Sequence, residues 1–221
     1  MIPLVTIFER LQARHGPRHW WPAENPFEVC AGAILTQNTN WGNVEKALAN
    51  LKAAGRLSPE GISSLPPDQL AALIRSAGYF NAKARSLQEF AGFLLQTAQG
   101  DLARLFAGDW QLLRQQLLSV RGIGPETADS MLLYAGQQPS FVVDAYTRRI
   151  FSRLGLVDPT ISYELLRTFC MERLPPEVPL YNEFHALLVE HGKQHCRPCP
   201  RCGDCCLADC CAFSLSAPLS A

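Results

Sequence analysis

The stretch Leu117-Leu118-Ser119-Val120-Arg121-Gly122-Ile123-Gly124-Pro125-Glu126-Thr127-Ala128, followed downstream by Val142-Val143-Asp144, decides how this chain reads. A segment with apolar teeth at Trp110, Leu112, Leu113, Leu117 and Leu118 runs into Gly122-Ile123-Gly124, and a second helix opens at Pro125. The two glycines permit backbone angles that side chains forbid, so a tight turn with bare N–H groups is expected. Bare N–H groups at a helix N-terminus bind phosphate. Asp144 then follows a short apolar run. A phosphate grip beside one carboxylate points to chemistry on a nucleic acid, at its backbone or at a base.

Outward from this hairpin, nearly every segment repeats its apolar residues with helical period. Phe8 to Leu11 makes a short amphipathic piece. Phe27 to Leu35 is almost wholly apolar and reads as a buried helix, while Val44, Ala47, Leu48 and Leu51 share one face of Gly42 to Lys52. Pro66-Pro67-Asp68 opens a helix ending near Gly78, and Asn81 stands where a cap for the next belongs. Asp109, Asp144 and Ser162 occupy cap positions before Trp110 to Val120, Ala145 to Leu154 and Tyr163 to Leu174. The helix from Pro125 ends near Gly136, and a last helix is expected over Leu180 to His191. Phe141-Val142-Val143 is too short to anchor a sheet. The expected class is all-α, with roughly ten short helices and a frayed tail beyond Cys211.

The chain has 221 residues and is 48% apolar, enough for one large domain or two small ones. It has no long uncharged apolar run and no signal-peptide pattern. A cytoplasmic monomer without membrane association is expected, lying with the nucleoid if the source is a prokaryote. Twenty basic and twenty acidic side chains give zero formal net charge, which argues against a purely electrostatic binder of nucleic acid. Arg114, Arg121, Arg148, Arg149 and Arg153 leave room for one positive face, although ordinary solvated helix surface is the simpler account of them. Seven of nine cysteines crowd between Cys196 and Cys211, which points to metal rather than to disulfides.

The wider pattern Leu-x-x-Val-x-Gly-Ile-Gly-x-x-Thr-Ala from Leu117 to Ala128 is joined by Val143-Asp144 and by Gly32-Ala33-Ile34-Leu35-Thr36-Gln37-Asn38-Thr39. Together these motifs resemble the helix-hairpin-helix DNA glycosylases of the endonuclease III superfamily, over most of the chain from Trp20 to Cys211. The resemblance implies two helical domains with a DNA cleft between them. One is a six-helix barrel, residues 23–136, carrying the hairpin over 110–136. The other joins residues 1–22 to 137–221 and carries a cluster loop over 196–211.

By its residues alone Asp144 is an N-cap; the resemblance makes it the catalytic acid. Cleaving an N-glycosidic bond builds positive charge on the sugar, and a nearby carboxylate stabilises that charge and orients or deprotonates water. Glu126 is a departure, since the superfamily's lyases carry there the lysine that forms a Schiff base with the sugar. A glutamate cannot do so. Lys46, Lys83 and Lys193 are the remaining candidates, and the simpler expectation is a monofunctional enzyme that uses water. Arg121, Gly122, Ile123 and Gly124 are expected to hold DNA phosphate, and Gln37 to enter the duplex as a wedge.

Trp20-Trp21-Pro22, Thr36 to Trp41 and Gly78 to Ala84 resemble the endonuclease III-type 3-methyladenine DNA glycosylases. There the equivalent aromatics sandwich the flipped base, and flat indoles suit an electron-poor alkylated purine. The base pocket expected on this ground is Trp20, Trp21, Pro22, Trp41 and Lys193. A helix-dipole cation accounts for Lys193 equally well.

Cys196-x5-Cys202-x2-Cys205-x5-Cys211 resembles the superfamily's [4Fe–4S] loop, one residue short in its first gap. The short gap keeps Cys199 open as a ligand, Cys210 competes with Cys211, and Cys206 is spare. Four thiolates also suit zinc. The implied role is structural, pinning a loop whose Arg197 and Arg201 face DNA phosphate. The 3-methyladenine branch often lacks this loop. Cys30 and Cys170 read as buried apolar residues. The expected function is base-excision repair on double-stranded DNA, releasing a damaged base, with an alkylated purine as first choice. An endonuclease III-like glycosylase and lyase on oxidised pyrimidines, or a DNA-binding paralogue with weak turnover, are the alternatives.

Overall fold

A computed structural model describes residues 2–216; Met1 and residues 217–221, the end of the tail expected to fray, lie outside the described residues. Among the described residues there are helices and no strand. The helices are α1 (Leu4–His15), α2 (Pro26–Leu35), α3 (Trp41–Ala53), α4 (Pro59–Ser64), α5 (Pro67–Leu73), α6 (Phe80–Ala98), α7 (Leu102–Phe106), α8 (Trp110–Ser119), α9 (Pro125–Ser130), α10 (Ala145–Arg153), α11 (Tyr163–Met171), α12 (Val178–Gln194) and α13 (Ala212–Ser216). Short 3-10 turns fall at Arg75–Ala77 and Ala208–Cys210, and a π-helical turn at Met131–Ala135 continues α9. No described helix is long and apolar enough to cross a membrane.

Short polar side chains start most of these helices by taking up an orphan backbone N–H. The Asn25 side chain accepts from the Glu28 N–H at 3.0 Å, Asp109 from Gln111 at 2.8 Å and Ser162 from Leu165 at 3.3 Å. Ser58 and Asp101 cap α4 and α7, which are too short to display a period and were not expected. Asn81 is not a cap. Gly78 at φ 67° turns the chain early, Tyr79 takes the cap position at φ 46°, and Asn81 lies inside α6. Part of the expected frayed tail, residues 212–216, is helical.

The chain packs as two units. The continuous unit is Trp21–Gln138 and the discontinuous one joins residues 2–20 to 139–216. Trp21, Pro22, Gln137 and Gln138 belong to the continuous unit, whereas the sequence reading placed them in the other. Side-chain contacts explain the shift: Trp21 packs on Trp41 and Tyr134, and the Gln138 amide donates to the Phe106 carbonyl at 3.2 Å.

The continuous unit holds eight α-helices, α2 to α9, against six expected, and α2 is its central one. Every residue of α2 from Phe27 to Leu35 is buried, because α3, α6, α9 and the π turn pack around it. Each large side chain so buried contributes about 1.5–3 kcal/mol. The hairpin helices α8 and α9 are stapled by Arg114 and the fully buried Asp129 through two bonds of 2.7 and 2.9 Å. Leu112, an expected apolar tooth, is 55% exposed, while Leu113 and Leu117 turn inward. In the discontinuous unit α12 packs against α1 and α10. Phe8, Phe141 and Phe151 gather on Phe184 at centroid distances of 5.6, 6.0 and 6.2 Å, an aromatic core.

Candidate functional site

The hairpin turn is built from one strained glycine and one open one. Gly122 has φ 87°, and a Cβ there would drive into Ser86. Gly124 has φ −91° and nothing within 4 Å of an added Cβ, so its expected conformational need is absent. What Gly124 provides is bare approach: no side chain caps α9, and Pro125 fills the first helical position. Arg121, Gly122 and Gly124 are exposed, and Ile123 is the buried anchor of the turn. The exposed Glu126 stands in the first turn of α9. The Gln37 amide donates to the Gly122 carbonyl at 3.1 Å and to Thr127 Oγ1 at 2.9 Å. The structure thus gives Gln37 a buttressing contact with the hairpin.

Trp21 and Trp41 meet edge to face in the same unit, with centroids 5.0 Å apart and an 88° angle. Both are half-buried, and Tyr134 lies 5.1 Å from Trp21. Gly32 forms the floor: a Cβ there would lie 3.4 Å from Trp21 and 3.5 Å from Trp41. Gly32 opens the motif that contains Gln37, and an intrahelical glycine here lets two indoles approach the backbone of α2. Pro22 is exposed. Tyr134 escaped the sequence reading because it lies in a run of buried apolar residues.

Asp144 caps α10 with one oxygen. Oδ1 accepts from the Thr147 N–H at 2.7 Å and from the Thr147 hydroxyl at 2.9 Å. Oδ2 lies 3.6 Å from Nε2 of His185 on α12. Burial pushes the carboxyl up, but His185 and the Thr147 bonds outweigh it, and the net position is below the ordinary carboxylate value. The side chain keeps 11% exposure. Trp20 stacks on the His185 ring at 5.6 Å and 13°. Trp20 is therefore grouped with Asp144 in the discontinuous unit, not with Trp21. His185 was missed; its signal is one polar residue in the apolar run Phe184 to Val189.

The candidate lysines differ. Lys83 is buried, and its ammonium donates to the carbonyls of Leu35 at 2.7 Å and Ala77 at 2.8 Å. Desolvation lowers its pKa, yet two of its protons are committed to tying α2 to the turn before α6. Lys46 and Lys193 are exposed. Tyr79, part of the Gly78 to Ala84 stretch but not among the expected pocket residues, is a further candidate: it is 73% exposed and held at a left-handed φ that a tyrosine rarely adopts.

Three of the five arginines read as solvated surface are internal clamps. Arg114 holds Asp129. Arg149 donates to the carbonyls of Cys196 and Gly192, at 2.8 and 3.2 Å. Arg153 reaches Cys196 Sγ at 3.4 Å and the carbonyls of Arg197 and Pro198 at 2.6 and 2.9 Å. Arg121 alone of the hairpin pair is exposed.

Cys196, Cys202, Cys205 and Cys211 line one cavity beside α10 and α12, with Arg153 and His191. Cys199, Cys206 and Cys210 do not line it. Among the described residues no three His, Cys, Asp or Glu side chains converge closely enough to hold a single ion. His191 Nε2 lies 3.5 Å from Cys205 Sγ, and its Nδ1 lies 3.2 Å from Nε2 of His15. Burial, aided by His15, holds the His191 imidazole down to about 3, so it is neutral. The donor set fits a group bound by four thiolates, with an Arg153 N–H and a ring nitrogen of His191 placed against two of the sulfurs. Cys30 and Cys170 are buried and their thiols pushed up by desolvation, as expected of apolar residues.

A model of the HhH-GPD superfamily of base excision DNA repair proteins matches residues 31–176. A Methanocaldococcus jannaschii protein, named as a candidate DNA repair glycosylase, is 43% identical over 94% of this chain and 95% of its own length. Endonuclease III of Sulfolobus acidocaldarius is 31% identical over 86% of this chain and 83% of its own. Among solved structures, the H. pylori 3-methyladenine DNA glycosylase bound to 1,N6-ethenoadenine superposes with a TM-score of 0.77 at 29% identity, covering 87% of this chain and 98% of that one. A trapped endonuclease III–DNA intermediate superposes with a TM-score of 0.84, covering 97% and 98%; at 24% identity it speaks for the fold alone.

Proposed function

The chain belongs to the HhH-GPD superfamily of base-excision DNA repair proteins and is a DNA glycosylase, and we propose that it is monofunctional, with Asp144 as the catalytic acid. The observation that carries this reading is the division of labour at Asp144. One oxygen is held by the helix it caps, and the other, outside the cap, faces His185 in a side chain that is not fully enclosed. An ionised carboxylate there stabilises the charge that builds on deoxyribose as the base departs, and water completes the hydrolysis. Glu126 at the hairpin and the committed ammonium of Lys83 support the absence of a Schiff base.

Each unit supplies one part of the recognition. Trp21 and Trp41 over Gly32 offer an electron-rich aromatic surface suited to a flipped, cationic base. An alkylated purine is the substrate class this favours, and the likeness to the H. pylori enzyme supports it. The uncapped start of α9, with Arg121 and Gly124 exposed, suits a DNA phosphate. Tyr79, exposed on a strained backbone, and Gln37 are candidates to fill the gap left by an extruded nucleotide in double-stranded DNA.

Cys196, Cys202, Cys205 and Cys211 would hold a [4Fe–4S] cluster. Such a group crosslinks the loop and gives it no hydrolytic chemistry of its own. Sulfurs spread around a cavity suit a multi-iron group better than zinc, whose single ion draws four ligands close together.

A panel of duplexes carrying alkylated, oxidised and mismatched bases tests the reading. Base release that yields strand breaks only after alkaline workup is expected, strongest on alkylated purines. A covalent adduct trapped by borohydride on an abasic-site duplex would overturn monofunctionality and favour the endonuclease III-like alternative. No release from any duplex would favour the weak DNA-binding paralogue.

A further inference from the structure

We propose that His185 is a positioning residue for base release: it holds the free oxygen of Asp144 and keeps that carboxylate ionised, while Trp20 fixes the imidazole plane. This rests on the reading of Asp144 as the catalytic acid. The geometry is specific. Thr147 occupies Oδ1 with two bonds, so Asp144 rotates only by breaking its own helix cap. Oδ2 is thereby aimed at a fixed place, and Nε2 of His185 stands there at 3.6 Å. That distance is longer than a hydrogen bond and within ion-pair reach. Both side chains are nearly enclosed, 7% and 11% exposed, so the interaction is weakly screened.

Enclosure on its own works against the reaction. A carboxyl taken out of water favours its protonated, uncharged form, and an uncharged acid does not stabilise positive charge on a sugar. The His185 ring facing Oδ2 opposes this and draws the carboxyl back down. Several other charged groups on the packed elements have partners of their own. On α1 and the segment after it, Arg14 pairs with Asp204, His15 with His191, and Arg18 with Glu190. On α12, Glu183 accepts the backbone N–H groups of Arg18 and His19. On α10, Arg149 and Arg153 are bound to the cysteine loop, and Arg148 has a buried Nε. The Trp20 indole covers one face of the imidazole in nearly parallel stacking, which limits rotation of the ring.

The test uses the full chain labelled at the aspartate carboxyl carbons. The Asp144 resonance is titrated in the wild type, in His185→Phe, which keeps a ring for Trp20, and in His185→Gln, which keeps a donor without charge. Single-turnover base release is followed over the same pH range. In His185→Phe the Asp144 midpoint should move to higher pH, the acid limb of the rate profile should move with it, and release below neutrality should fall about 10- to 100-fold. His185→Gln should recover part of both effects. Affinity for an abasic-site duplex should stay within about twofold, since no phosphate contact is lost. A midpoint unmoved in both variants overturns the proposal whatever the activity. A moved midpoint with an unmoved rate limb also overturns it, because Asp144's charge would then not limit base release. A moved midpoint in a protein whose wild type releases no base supports the contact and overturns the glycosylase assignment of Asp144.

Discussion

Replacing Asp144 by asparagine separates two jobs carried by one side chain. Asparagine caps a helix about as well as aspartate, so the Thr147 bonds survive and thermal unfolding should shift by less than about 1 kcal/mol. The charge is lost, and base release should fall by at least 10²- to 10³-fold in single turnover while duplex binding is retained. Loss of binding together with activity would mean that Asp144 holds the fold and nothing more. The acid dependence has a definite sign. Because the carboxyl sits below its ordinary value, activity is expected to be full across the neutral range and to fall only at low pH, as Asp144 protonates.

At the scale of elements, the hairpin depends on two close fits. Gly122→Ala adds a Cβ at a positive φ and against Ser86, so about 1–3 kcal/mol of stability should be lost in denaturant unfolding. Gly124→Ala meets open space and should unfold normally, yet weaken duplex binding by covering the start of α9. Equal binding by wild type and Gly124→Ala would remove the phosphate role from this turn. Asp129→Ala removes both bonds of this staple from a guanidinium only 13% exposed, and should cost about 3–5 kcal/mol. Much of this was legible beforehand. Gly-Ile-Gly-Pro announces a turn and a helix start through local backbone chemistry. The Arg114–Asp129 staple was not legible, because residues fifteen apart in sequence are brought together only by the turn between them.

For the whole molecule, the cysteine loop provides the sharpest test. Purified protein should absorb in the visible blue and contain iron and acid-labile sulfide. Cys202→Ser should lose the iron, whereas Cys199→Ser and Cys206→Ser should keep it, since only the first lines the cavity. Zinc in place of iron would refute the cluster. The division of the chain into units was nearly visible in the motif order, but the assignment of Trp20 was not. Adjacent residues Trp20 and Trp21 share one aromatic signature, and they separate because one indole finds His185 and the other finds Trp41.

Local chemistry, read along the chain, determined the helical class, the hairpin, the caps at Asp109, Asp144 and Ser162, and the cysteine loop. Each depends on residues within a few positions of one another, where capping, periodicity and glycine geometry act. Tertiary structure alone decided that Asp144 has one committed oxygen and one facing His185, that Lys83 donates to two backbone carbonyls, and that three arginines are internal clamps. It also separated four cysteines from seven. Those facts depend on which distant side chains share a buried volume, and burial, unlike helical period, leaves no local trace in the order of residues.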